Sequence, residues 1–575
     1  MDAGMLTARR RNLALAIFHA NKTAKQSDQP YTNREYTTLH HILQGQIPYF
    51  EHNKFVSTLN CYDVCTPEPD EDDKEPNCLL GPVVIMAVED ILKFTQSVTS
   101  GKLGPTKCSF VLYALWFGIA TSFNWTQRGV ISGHHDNWNW NTPHPISSAT
   151  KQFLFLNTAL LNIIPILFGQ VPGVTGAMGQ TMAFTTGPAY IEFATSMLNI
   201  TEAQYNAQVA DVSGQAHFAE WLSLYSNWFV TRNTSAIQVA GLPAVYPNSG
   251  VLIHAATGSD DIAGFPDPHG WTRIQPFPPA TLQSYYTPRW QDISSASGFT
   301  PTEYNYIKSN ANTFFPPNQA SRDAEIDSII NITANLTDRQ KATAEFWANI
   351  MRTVSPPGSM MWFWKQYVEA YNVVLQKGNA PFIYSGFHLA LGLFEAGRAV
   401  WDLKYAHQQS RPIQDVRLRY RGQSVSSWNG TISGENWLPY QLSSFVTPPF
   451  PDFPSGHSAF SQTFANVMTT WFGPELPDEK PIQTLDDLYL LSPALTATQV
   501  QPIGSISFPA GGSQVETGVP ATPVLFQFSS FQGMANEAGL SRQYGGIHPM
   551  AAHRGSQTLI NTMYPIMNAN WGLPV

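Results

Sequence analysis

Between residues 401 and 575, three short clusters carry side chains suited to binding and working on an oxyanion. The first is Lys404, followed seven residues later by Arg411-Pro412. Seven residues is about two helical turns, so both cations are expected on one side of a helix that Pro412 ends. Alone, such a pair would only complement a helix dipole. The second cluster, Phe450-Pro-Asp-Phe-Pro454-Ser455-Gly456-His457, runs straight into an apolar-periodic stretch. Gly456 permits close backbone approach, Ser455 offers a hydroxyl, and free amides at a helix start favour an anion, with His457 beside it as proton donor or acceptor. The third is Ser541-Arg542-Gln-Tyr-Gly545-Gly546-Ile-His548, where paired glycines let the chain turn and bring cation and imidazole together. Three cations, a hydroxyl, backbone amides and two imidazoles together suit a multiply charged tetrahedral oxyanion. Arginine forks match its oxygens in pairs and lysine adds a point charge. One imidazole nitrogen then approaches the central atom axially, while the other moves protons at an apical oxygen.

Helices must position these groups. Residues 334–351 carry a Thr337 cap with Gln340 three residues on, then Ala344, Trp347 and Ile350 at helical spacing. Residues 387–408 repeat the period through Leu389, Leu393, Ala396, Val400 and Leu403. Residues 458–472, closed by Gly473, and residues 532–544 and 550–567, separated by Gly545-Gly546-Ile547-His548-Pro549, read as further helices. Pro, Gly, Ser and Asn cluster in 241–300, 413–450 and 473–528, which read as irregular connectors. The expected fold is all-α, helical bundles with long irregular loops, divided into 1–110, 111–336 and a catalytic half at 337–575.

Composition narrows the function classes. The 575 residues include 13% charged residues and a net charge of −9, which argues against a nucleic-acid surface. The four cysteines, Cys61, Cys65, Cys78 and Cys108, all lie in the first fifth; one or two disulfides pinning that segment is the favoured reading over free thiols or a metal site. Seven Asn-X-Ser/Thr sequons, at Asn21, Asn124, Asn199, Asn233, Asn331, Asn335 and Asn429, fit an extracellular or secretory protein. Arg9-Arg10-Arg11 before an apolar run is too short a pattern for a clear signal peptide. The apolar stretches 110–123 and 153–168 fall short of about 20 uninterrupted residues and read as buried helices, so no membrane span is expected. His134-His135-Asp136 lacks further spaced ligands and reads as a polar loop, and Asn137-Trp-Asn-Trp-Asn141 as a buried one with side-chain capping.

Lys404-X6-Arg411-Pro412, Pro454-Ser455-Gly456-His457 and Ser541-Arg542-X5-His548 resemble, in order and spacing, the three-part signature of the vanadium haloperoxidase and type 2 phosphatidic acid phosphatase superfamily. Trp401, Pro449-Phe450-Pro451 and Gly545-Gly546-Ile547-His548 are similar to the flanks in vanadium chloroperoxidase-type enzymes. Ala344-Glu-Phe-Trp347 with Pro356-Pro357-Gly358 resembles a stretch preceding the site in that group, and the similarity covers about 337–555. The resemblance implies a two-bundle architecture and a vanadate cofactor. His548 would coordinate vanadium(V), and Lys404, Arg411, Arg542, Ser455 and the Gly456 amide would hold the oxygens. His457 would be the catalytic acid–base residue, and Trp401 and Phe450 would line the halide side. The implied partners are hydrogen peroxide, a halide and small organic acceptors, with hypohalous acid as product; the aromatic Phe450 leans toward chloride-type members.

Two departures stand beside the resemblance. An Asp that relatives carry shortly after the metal-binding histidine is replaced here by Pro549-Met-Ala-Ala552-His553, so a carboxylate orienting the second nitrogen is expected to be lost. The acidic partner of the second arginine aligns with Asn349, leaving Glu345, one turn earlier, as a substitute. The same residues would also serve an acid phosphatase, with His548 as nucleophile and His457 protonating the leaving group. An inactive extracellular scaffold is the third reading; the intact set of costly buried cations opposes it.

Overall fold

The computed structural model describes residues 104–170, 200–241, 286–348, 355–370, 378–474 and 505–574, apart from 128, 129, 142, 143, 147 and 444, together with parts of 81–92 and residues 191 and 195. In chain order the helices of the first half are α1 (Pro105–Thr126), α2 (Ala149–Gln170), α3 (Glu202–Gly214), α4 (Ala216–Gly241), α5 (Pro301–Asn312) and α6 (Gln319–Ala334). The second half adds α7 (Asp338–Phe346), α8 (Pro356–Ala370), α9 (Asn379–His407), α10 (Pro412–Arg419), α11 (Gly456–Phe472), α12 (Phe531–Tyr544) and α13 (Met550–Trp571). Among the described residues the strands form only two-stranded antiparallel hairpins: His134–His135 with Trp138–Asn139, Ser424–Ser427 with Gly430–Ser433, and Ser505–Phe508 with Val524–Gln527. The all-α expectation holds.

The central element is α9. Its apolar residues occur all round the helix rather than on one stripe, and it is buried from Phe382 through Tyr405 with few breaks. It packs against α1 on one side and α11 on another; α11 in turn packs against α12 and α13, and α5 lies on α13. One hydrophobic cluster runs through this arrangement from Val83 to Leu573, across the expected division at 336/337, and a division at 110 falls inside α1. A smaller cluster of Ile326, Ile329, Ile413, Val416, Val425, Trp437 and Val446 joins α6, α10 and the hairpin of Ser424–Ser427. The charged side chains Glu395, Arg398, Asp402 and Lys404 of α9 are partnered. Glu395 receives Ser295 Oγ at 2.7 Å, the amides of Ala296 and Ser297 at 2.6 and 2.9 Å, and Arg398 at 2.7 Å, which ties the 293–297 loop to the helix.

Helix ends follow local chemistry, with two shifts from expectation. Thr337 and Gln340 form the expected reciprocal capping box, but the helix they open is α7, and Ala334 ends α6. Pro412 does not end α9. That helix stops at Gln408, which takes a left-handed φ of 49°, and Pro412 instead opens α10 behind Arg411. Proline suits a first helical turn because its missing N–H has no intrahelical partner there. Both apolar stretches are helical: α1 is buried along its length, and within α2 the stretch Thr150–Leu167, long and apolar enough to cross a membrane, is 61% buried inside the protein. Cys108 is buried on α1; Cys61, Cys65, Cys78 and the sequons at Asn21 and Asn199 lie outside the described residues. Asp136 is engaged by Tyr113 at 2.7 Å, Trp228 at 3.0 Å and Arg232, and His135 stacks on Trp571, so the His134–Asp136 segment is part of the packing between α1, α4 and α13.

Close approach of α9 to α1 depends on Gly386, where an added Cβ would lie 2.2 Å from the buried ring of Trp116. Gly386→Ala would ordinarily gain about 1 kcal/mol of helix propensity. Here overpacking is expected to reverse the sign and cost about 1–3 kcal/mol, read as a lower denaturation midpoint with no change in slope.

Candidate active site

The ends of five helices meet at one place: the last turn of α9, the first turns of α10, α11 and α13, and the end of α12. Lys404, on the last turn of α9, is fully buried and donates to the carbonyls of Pro451 and Asp452 at 2.8 and 2.7 Å. Arg411 caps α10, its amide held by Gln414 Oε1 at 3.1 Å, and its side chain turns into the interior. The Nε donates to Phe450 O at 2.7 Å and Nη1 to Ile547 O at 3.1 Å, while Nη1 also lies 3.1 Å from His548 Nε2. The ring of Phe450 takes both cations on its faces, Lys404 Nζ at 5.1 Å and Arg411 Cζ at 5.0 Å from its centroid. Trp401 packs on the same ring at 4.8 Å and is held by its Nε1 bond to Tyr286 O at 3.1 Å.

His548 is oriented by a carboxylate after all. Its Nδ1 bonds to Oδ1 of Asp452, a residue inside the 450–457 cluster, five before His457 rather than after His548. The expectation that this carboxylate is lost is therefore corrected: it comes from the loop before α11, 96 residues away in the chain. Asp452 Oδ2 in turn pairs with Arg322 of α6 at 2.9 Å, and Arg322 is fixed by Asp415 at 2.8 Å and by Ser410 O at 2.6 Å. Burial alone would push the Asp452 carboxyl up, but Arg322 and His548 hold it at about 2, so it is a carboxylate throughout the working range. Burial and the neighbouring Arg411 push the His548 imidazole down to about 3. A neutral ring that donates from Nδ1 keeps its lone pair on Nε2, on the side where Arg411 stands.

Ser455, the N-cap of α11, is fully buried, and Gly456 opens the helix beside Trp401. His457 follows, with its Nε2 shielded from solvent and without a partner among the described residues. Burial, then Arg542 and His548, push its imidazole well below the ordinary range, so both groups lie within electrostatic reach of His457. Arg542, at the end of α12, is buried and donates to Ser541 Oγ at 2.9 Å and Ala344 O at 2.8 Å. No carboxylate among the described residues pairs with it. Glu345 is not its substitute partner, because Ser513 Oγ, the Gln514 amide at 2.7 Å and Tyr440 OH at 3.2 Å already occupy that carboxylate; Asn349 lies outside the described residues.

The electrostatic balance of the site is positive. Burial lowers Lys404 well below its usual range, Arg411 to about 10 and Arg542 to about 9, with Arg411 further opposing charge on Lys404. Arg411 Nη2 is buried and unpartnered, like His457 Nε2. A buried donor left without an acceptor is costly, and a small oxyanion with several oxygens would satisfy Arg411 Nη2. Among residues not singled out from the sequence, Asp452 and Arg322 matter most. Asp452 stood within the proline loop as a possible signal, whereas nothing local to α6 marks Arg322.

Removing the Asp452 carboxylate would leave Arg322 and Arg411 facing each other's charge in the interior. Asp452→Ala is expected to cost about 3–5 kcal/mol of unfolding free energy, measured by chemical denaturation at neutral pH. A loss below 1 kcal/mol would contradict a central role for this carboxylate.

Comparison with known proteins bears on the fold. Residues 385–563 match the family model described as the VCPO second helical-bundle domain. No curated protein matches the sequence. Among solved structures, the apo-type bacterial vanadium-dependent chloroperoxidase aligns with a TM-score of 0.54 at 14% identity, covering 81% of this chain and 95% of its own. The holo-type structure gives 0.54 and 14%, covering 89% and 97%. The first bacterial vanadium-dependent iodoperoxidase gives 0.55 and 16%, covering 88% and 98%. The chain thus has the helical-bundle fold of the vanadium haloperoxidase structures it aligns with, and its residues 385–563 match the VCPO second helical-bundle domain model.

Proposed function

We propose that this protein is a vanadium-dependent haloperoxidase that uses hydrogen peroxide to oxidise halide to hypohalous acid. The observation that carries the reading is the state of His548: Nδ1 is committed to Asp452, so the Nε2 lone pair faces the cations, next to the unpartnered Arg411 Nη2. That donor set fits vanadate. His548 would be the ligand, and Lys404, Arg411, Arg542, the Ser455 hydroxyl and the Gly456 amide would take the oxygens. When bound, vanadium(V) supplies Lewis-acid activation of hydrogen peroxide toward a halide.

The chain's own residues do the rest. Arg411 and Arg542 neutralise anionic charge with rigid forks, and Lys404, held by the carbonyls of Pro451 and Asp452, adds a point charge. His457, kept neutral by burial, is placed to accept a proton at Nε2 and return it. Phe450 and Trp401 form an apolar wall next to the cations, whose charge would offset the desolvation of an entering halide. Small organic acceptors would meet hypohalous acid after its release.

The same lone pair would make His548 a nucleophile toward a phosphate ester, so the assay must separate the two chemistries. The purified protein is expected to oxidise chloride or bromide with hydrogen peroxide only after addition of orthovanadate, and His548→Ala is expected to reduce that rate by at least about 10²-fold. Hydrolysis of a phosphate ester without vanadate, and no halide oxidation with it, would move the assignment to an acid phosphatase with a phosphohistidine intermediate.

We also propose an extracellular or secretory location. Asn331, Asn335 and Asn429 are exposed, whereas Asn124 and Asn233 are buried. In protein secreted from a eukaryotic host, peptide mapping is expected to find glycans among the first three and none at Asn124 or Asn233.

A further inference from the structure

The reading above gives Ser455 the task of donating its hydroxyl to an anion, and a serine hydroxyl does not by itself prefer donating over accepting. The surroundings of Ser455 remove the choice. Its amide donates to Ala552 O at 3.0 Å, and its carbonyl accepts from Ser556 Oγ at 2.7 Å and from the Ala459 amide at 3.1 Å. Its Oγ accepts from the Ser458 amide at 3.4 Å and from Ser458 Oγ at 3.1 Å. Both lone pairs of the hydroxyl are then engaged, and the one group of Ser455 still to be placed is its own O–H.

Ser458 has a single hydroxyl proton, so it donates to Ser455 only if it accepts from, rather than donates to, His553, whose Nδ1 stands 2.9 Å from Ser458 Oγ. His553 lies on the first turns of α13 and is buried, which pushes its imidazole down to about 4, so the ring is neutral and carries a single proton. With Ser458 donating to Ser455, that proton belongs on Nδ1. The fold makes special room for the ring. On α12, Gly539 faces it so closely that an added Cβ would lie 2.1 Å from both Cε1 and Nδ1 of His553. A mid-helix glycine is less favourable than alanine, so the space is maintained against local preference.

We propose that His553 is a positioning residue of the anion site: through the one-way relay His553 Nδ1–H to Ser458 Oγ–H to Ser455 Oγ, it forces the Ser455 hydroxyl to donate to the bound oxyanion. The relay rests on the anion-binding reading of Ser455. It reassigns the stretch Ala552-His553, where no carboxylate stands, from a loss at the histidine ligand to a gain at the serine. The relay transfers no net proton; it sets the direction of three hydrogen bonds, and its effect lies in affinity.

The test is calorimetric titration of the full chain with orthovanadate and, separately, with inorganic phosphate. His553→Leu, which keeps bulk and removes the donor, and Ser458→Ala are each expected to weaken both anions by about tenfold, the scale of one hydrogen bond to a charged group. His553→Asn places an amide N–H near the position of Nδ1 and is expected to restore affinity to within about twofold of wild type, a rescue that a purely structural role would not produce. In a Ser455→Ala background, His553→Leu is expected to cause no further loss. Unchanged affinity in both single variants, failure of His553→Asn to restore it, or an equal loss without Ser455 would overturn the relay. If His553→Leu does not fold, Ser458→Ala and His553→Asn carry the same decision. Wild-type protein that binds neither anion would instead overturn the reading of the site, and the relay with it.

Discussion

One buried carboxylate governs the site. Asp452 stands among Lys404, Arg411, Arg322 and His548, and each of its polar groups has a use: the amide donates to Gln409 O at 3.0 Å, the carbonyl accepts from Lys404, and the two carboxylate oxygens face His548 and Arg322. Buried cations are expensive unless paired, and a single well-partnered anion lowers that cost while leaving a surplus of positive charge. Too many carboxylates here would neutralise the pull on an oxyanion; none would make the cluster hard to fold. The same group sets the tautomer of His548, so charge balance and ligand geometry depend on one side chain.

The helices serve this balance by where they end. A helix terminus leaves backbone donors or acceptors open, and several termini gathered at one place give backbone groups that hold charged side chains. Lys404 and Arg411 are anchored mostly by carbonyls of the 450–452 loop and of Ile547, and Arg542 by a carbonyl of α7. These neutral acceptors position the cations without cancelling them. Further along, the buried length of α9, closely packed on α1 and α11, makes the framework stiff enough that such bonds keep their lengths. Support from the smaller cluster beneath α6 and α10 holds Arg322 and Arg411 from behind.

Much of this was legible in the sequence because the chemistry is concentrated in short runs. Ser455-Gly456-His457 sits at a helix start that a proline loop and an apolar period announce, and the Thr337 capping box is a local pattern that structure reproduces. Errors arose where the partner is distant. The family resemblance points to a carboxylate a few residues downstream of His548, whereas the loop before α11 delivers it through Asp452. Glu345 is one turn from the right place on paper, yet its carboxylate is consumed by the hairpin segment around Ser513. A proline is incompatible with a helix interior, which locally marks Pro412 as a stop, but the left-handed Gln408 already ends α9 and the proline's fixed φ suits the first turn of the next helix.

Residue order alone determined the all-α class, the oxyanion-directed side chains and the approximate helices that carry them, since periodicity, caps and motif spacing are properties of neighbouring residues. Only the tertiary structure decided which carboxylate meets His548, that Arg322 stands behind it, that Arg542 has no carboxylate among the described residues, and that His553 reaches Ser455 through Ser458. Those are contacts between segments tens to hundreds of residues apart. Their free energies depend on burial and on the direction of each hydrogen bond, and neither quantity exists until the helices pack.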